Sequence, residues 1–101
     1  MRVDRVEQLF VRRRAGRIEL LMVLVSPAGD RERETLQAPT SSPEEAVRFA
    51  GVHLARRGIA ASERLRLRVE RGGGLVDDAL LREVLVTTLA RERVEDTQWE
   101  Q

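Results

Sequence analysis

The stretch "RLRLRVERGGGLVDD", residues 64–78, is where residue types and spacing come nearest to chemistry. A strand, a glycine-rich turn and a helix start can together hold a phosphate, through backbone N–H groups and the helix dipole. The neighbouring side chains argue against that use. Asp77 and Asp78 stand where the anion would sit, no Gly-Lys-Ser/Thr is present, and G-x-G-x-x-G would place its last glycine at Asp77. The glycines therefore read as a turn, with Asp77 as the N-cap of a following helix and Val76 packed on Leu81.

The arginines before the turn are the better lead. Arg64, Arg66 and Arg68 alternate with Leu65, Leu67 and Val69, so they share one face of a strand. With Arg12, Arg13 and Arg14 of an N-terminal hairpin they form the candidate surface for nucleic acid or another anion. The competing reading is a solvated face whose arginines pair with acids such as Glu32, Glu34 and Glu70. Base stacking has little support, because Phe10 and Phe49 read as core and Trp99 lies in a polar tail. A helix-turn-helix over residues 44–69 is opposed by the period-2 pattern of "RLRLRV".

Other chemistry is scarce. His53 is the single histidine, with no partners at metal or acid–base spacing. No motif joins Ser26, Ser41, Ser42 or Ser62 to His53 and a carboxylate, and Asp77-Asp78 serves a helix dipole more simply than a cation. All 18 basic residues are Arg, and the chain contains no Lys, Cys, Tyr or Asn. That removes Schiff-base chemistry, a phosphate-binding P-loop lysine, thiol nucleophiles, iron–sulfur clusters and zinc fingers. No cofactor and no metal is expected. The net charge of +1 leaves any attraction for nucleic acid to a local arginine patch. Met1 is followed by charged residues, and nowhere is there an apolar run near the ~18 residues of a membrane span. The expectation is a cytoplasmic protein with no membrane partner.

The elements that must position these residues follow from periodicity. "VDRVEQLFVRRRAGRIELLMVLV" predicts two strands, about Arg5–Arg13 and Arg17–Val25, joined by a turn at Ala15-Gly16. A short helix remains open for the first, since Val3, Val6 and Phe10 also keep helical spacing. The second strand is apolar on both faces, with Ile18, Leu20, Met22 and Leu24 on one and Leu21, Val23 and Val25 on the other, which predicts a central strand buried on both sides. "RERETLQA" reads as a polar edge strand. Ser42, Pro43 and Glu45 form a capping box, Gly58 is a left-handed stop, and Ala46, Val47, Phe49, Ala50, His53 and Leu54 make the buried face of the helix between them. From Asp77 a last helix buries Leu81, Val84, Leu85 and Thr88, although the β-branched "VLVTT" leaves a strand open there.

The reading is an α+β two-layer sandwich in the order β-β-β-α-β-α, with a four-stranded mixed sheet and helices packed on it. Residues 1–95 form the domain and 96–101 a polar tail. If both helices pack on one face, Leu21, Val23 and Val25 lack cover, and a homodimer would bury them, with Trp99 as a possible anchor. The expected function is a small non-catalytic interaction protein, homodimeric through the two-sided second strand or the last helix, with an arginine-rich face left for a charged partner such as an acidic protein. The alternatives are a nucleic-acid-binding protein using that arginine face, and an enzyme whose site is not visible in the sequence.

Overall fold

The computed structural model describes the backbone of residues 2–99 and the side chains of residues 2–92. The order of elements is β1 (Arg5–Arg14), β2 (Arg17–Val25), β3 (Arg31–Ala38), α1 (Pro43–Arg56), β4 (Ala60–Arg71), β5 (Gly74–Asp77) and α2 (Ala79–Trp99). The class is the expected α+β, with one mixed sheet and two helices. The sheet has five strands rather than four, in the order β3-β2-β1-β4-β5. The added strand is the "GLVD" that follows the first glycines.

β1 and β2 form a hairpin through a two-residue turn in which Ala15 and Gly16 have φ of 52° and 78°. Positive φ at both central positions gives the turn whose twist matches paired strands. β3 adds antiparallel to β2 and forms one edge, its exposed charges unsuited to further pairing. The chain then crosses the sheet through α1 and returns as β4, parallel to β1. β4 turns at Gly72 and Gly73, with φ of 55° and 86°, into the short β5.

β2 is interior, but only one of its faces is closed. Ile18, Leu20, Met22 and Leu24 are buried, whereas Leu21 and Val23 are half-buried. The reason is that both helices lie on the same side. Against it Val6, Leu9 and Val11 of β1 and Leu65, Leu67 and Val69 of β4 join those β2 residues, together with Ala46, Val47, Ala50 and Leu54 of α1 and Leu81, Leu85 and Leu89 of α2.

Local signals fix the helix ends. Ser42 caps α1 by accepting from the Glu45 N–H at 3.4 Å, while the Glu45 carboxylate lies beside Arg48. At the other end Ile59 N–H donates to Leu54 O and Gly58 N–H to Ala55 O, with Gly58 at φ 74°, which completes a Schellman stop. α2 is capped by Asp78, not Asp77: its carboxylate accepts from Leu81 N–H at 3.2 Å and from the Arg71 guanidinium at 2.6 Å. Asp77 instead ends β5, and Val76 is exposed rather than packed on Leu81. Two helices side by side on one face must also approach closely. A methyl group at Gly51 of α1 would stand 2.7 Å from Thr88 Cγ2 of α2, so only glycine fits that crossing.

Candidate functional site

The face of the sheet away from the helices holds the largest share of the residues singled out by sequence. Directly paired residues point to the same side, so register orders this face into rows running from β3 towards β5. One row is Arg33, Val23, Gln8 and Arg66. The next is Thr35, Leu21, Phe10, Arg68 and Asp77. A third begins Gln37, Glu19, Arg12 and continues on β4 and β5 with Glu70 and Leu75. Phe10, Leu21 and Val23 thus form an apolar centre, flanked by charge on both sides.

Phe10 reaches this face because of a β-bulge. The pairing of β1 with β2 and with β4 shifts between Val6 and Gln8, so Val6 and Phe10 share parity in sequence yet point to opposite faces. Val6 is fully buried under the helices, and Phe10 is half-buried in the open. The sequence reading of Phe10 as core is thus corrected to a half-buried place on the open face. The available signal was its position between Gln8 and Arg12, both polar.

Several charges on the face are internally satisfied. Arg12 Nε donates to Glu19 Oε1 at 2.6 Å, and Arg68 Nε lies 3.6 Å from Asp77 Oδ1. Arg33 and Arg66 are exposed at the two ends of the Val23 row, and Glu70 is exposed two residues beyond Arg68. The face is therefore mixed in charge, with Arg33 and Arg66 in one row, Arg68 and Asp77 in the next, and Glu19, Arg12 and Glu70 in the third.

The other expected site residues are dispersed. Arg13 pairs with Ile18, points to the helix side and reaches Ser41 O at 3.2 Å; Arg14 is exposed beside the hairpin turn. Arg64 lies in the irregular segment of β4 where Ala61 and Arg66 bracket the bulge, and its N–H donates to Ser62 Oγ at 3.1 Å. It borders a cleft of about 580 Å³ with Arg5, Glu7 and Arg31. Two of those arginines are paired, Arg31 with Glu7 at 3.1 Å and Arg5 with the neighbouring Asp4 at 3.4 Å. Val25 lines the same cleft and is only 7% exposed. The side chain of Trp99 lies outside the described residues.

The glycine turn and the start of α2 do not converge, because β5 separates them. Serine hydroxyls are engaged locally: Ser26 Oγ accepts from Asp30 N–H, Ser42 caps α1 and Ser62 holds the bulge. Among the described residues no three His, Asp or Glu side chains are grouped to hold a metal ion. No described helix is long and apolar enough to cross a membrane.

A separate ion pair ties the edge of the sheet to α1. Arg57, the C-cap residue, donates to both oxygens of Glu34 on β3, at 2.7 and 2.9 Å. The hydrogen bond from Arg57 holds the Glu34 carboxyl below its ordinary range and raises Arg57 in turn. This pair lies on the helix side and braces the fold. Set against known protein families, curated proteins and solved structures, the chain finds no match in any of the three.

Proposed function

We propose that this chain is a non-catalytic interaction protein that self-associates through the open face of its sheet. One observation carries the reading: α1 and α2 pack on the same side, so among the described residues no helix covers the half-buried apolar centre of Phe10, Leu21 and Val23. An apolar patch rimmed by charged residues is the usual composition of a protein contact surface, with burial supplying affinity and the rim supplying orientation. The arginines on this face favour a protein over a nucleic acid as partner. Arg12 and Arg68 already hold Glu19 and Asp77, and these acids together with Glu70 would repel a phosphate backbone.

Sedimentation velocity over a dilution series tests the reading. The native chain is expected to shift from dimer to monomer on dilution, and Leu21→Asp to sediment as a monomer throughout with an unchanged circular dichroism spectrum. A native chain that stays monomeric up to about 100 μM, where even a weak specific contact forms, overturns it. Binding of labelled RNA or DNA at low salt, lost on Arg66→Ser, would assign the face to nucleic acid instead.

A further inference from the structure

We infer that the cleft beside the irregular segment of β4 binds one phosphoryl group, carried on a small phosphate monoester, through Arg5, Arg31 and Arg64. The inference goes beyond self-association and does not depend on it, because the cleft lies at the end of the sheet where β1 begins and not at the apolar centre of the open face.

The cleft follows from a mismatch in register. Between paired positions β1 inserts only Glu7, after Val6 and before Gln8, whereas β4 inserts residues 62–65, after Ala61 and before Arg66. The surplus on β4 has no partners in the ladder, so the strand bows away from it, and the cleft of about 580 Å³ lies alongside. Small residues line it: Ala61, Gly29, and Val25, which stands in register between Arg5 on β1 and Arg31 on β3. Its size falls in the range of small-molecule sites, about 300–1,000 Å³, and leaves room for more than a phosphate ion.

The three arginines come from three strands and are engaged to different degrees. Arg31 is held by Glu7 at 3.1 Å. Arg5 directs Nε to Asp4 and one terminal nitrogen to Ser26 O, which leaves the other terminal nitrogen open. Arg64 has no carboxylate within ion-pair distance among the described residues. An incoming anion therefore engages Arg64 first and the open donors of Arg5 second.

Shape and charge define the ligand. Guanidinium groups arriving from three strands suit a tetrahedral oxyanion, whose oxygens point in different directions, better than a planar carboxylate, which a single fork satisfies. Glu7 and Glu63 also line the cleft, so three cations face two carboxylates. That one surplus cation, supported by Arg33 and Arg66 in the adjoining row of the face, suits one phosphoryl group, while the two acids repel the further phosphates of a polyphosphate or a nucleic acid.

Titration of the full chain with inorganic phosphate at constant ionic strength, followed by amide chemical shifts, tests the assignment. Binding is expected to saturate with a Kd of about 1 mM, with residues 29–31 and 61–64 shifting together. Arg64→Ser should weaken it about tenfold and Glu63→Gln should strengthen it about threefold, whereas Arg14→Ser, at the opposite end of β1, should leave it unchanged. Glycerol 3-phosphate should bind at least as tightly as inorganic phosphate, and acetate about tenfold more weakly. No saturation by about 20 mM, shifts scattered over the whole surface, or equal losses in Arg64→Ser and Arg14→Ser overturn the site. Acetate binding as tightly as phosphate overturns the phosphoryl ligand. The gain expected of Glu63→Gln keeps the test decisive if Arg64→Ser fails to fold, and the oligomeric state of Leu21→Asp bears on self-association alone.

Discussion

On the side facing the helices, β1, β2 and β4 present Leu9, Leu20 and Leu67, each closed to solvent; on the other side the same strands present Phe10, Leu21 and Arg68, all partly open. The backbone is common to both sets, and a step of one residue separates them. What differs is cover. Two helices packed against each other at Gly51 and Thr88 leave, among the described residues, no element over the second face. The difference teaches that apolar character on both sides of a strand does not by itself predict burial on both sides.

Three measurements break or sharpen this contrast. The largest effect is expected from paired truncations on β2. Leu20→Ala leaves a cavity in the closed layer and should cost about 2–5 kcal/mol in denaturant unfolding. Leu21→Ala, measured at a dilution where the chain is monomeric, should cost less than about 1 kcal/mol, because the side chain is already partly hydrated. Equal losses would end the distinction between the faces.

Next is Gly51→Ala. Alanine improves helix propensity by about 1 kcal/mol, yet its methyl would stand 2.7 Å from Thr88 Cγ2. Overpacking should win, with a net loss of about 1–3 kcal/mol. Thr88→Ala in the same chain should recover part of it, and a stabilised Gly51→Ala would show that the two helices are not held together at this crossing.

The smallest effect concerns the brace between β3 and α1. Arg57→Ala should lower stability by no more than about 1 kcal/mol, since the pair is substantially exposed. Its pH signature has a defined sign. Arg57 lowers the Glu34 carboxyl in the folded chain, so the contribution is complete above the unfolded carboxylate value and is lost as pH falls through the lower, folded one. The stability difference between native and Arg57→Ala should therefore narrow on acidification and stay constant from neutral to mildly alkaline pH.

The elements that sequence shows well are those specified by neighbours. The Ala15-Gly16 hairpin, the polar edge strand, and Ser42 and Gly58 at the ends of α1 belong here, whereas "VLVTT" leaves helix and strand open in sequence and is helical within α2. β5 escaped because four residues are too few for a period, and two exposed apolar side chains gave no inward face to count. Its omission also moved the cap of α2 from Asp78 to Asp77. The open face was half legible: Leu21, Val23, Arg66 and Arg68 follow from alternation, but Phe10 does not, since the bulge that redirects it arises from three strands paired at once. Arg13 and Arg64, both exposed, fall outside the rows of the open face for the same kind of reason, one by parity across the hairpin and the other by the irregular segment of β4.

The parallel ladder between β1 and β4 has a consequence for how the chain acquires its structure. β1, β2 and β3 form from adjacent segments, as do β4, β5 and α2, but the sheet is one body only when Val11 finds Val69 and Leu9 finds Leu67. Loop closure over that length precedes the contacts that reward it, so this ladder governs the folding rate. Until it closes, the two halves each expose a strand edge at the centre of the future sheet, and there a nascent chain is most open to pairing with the wrong copy.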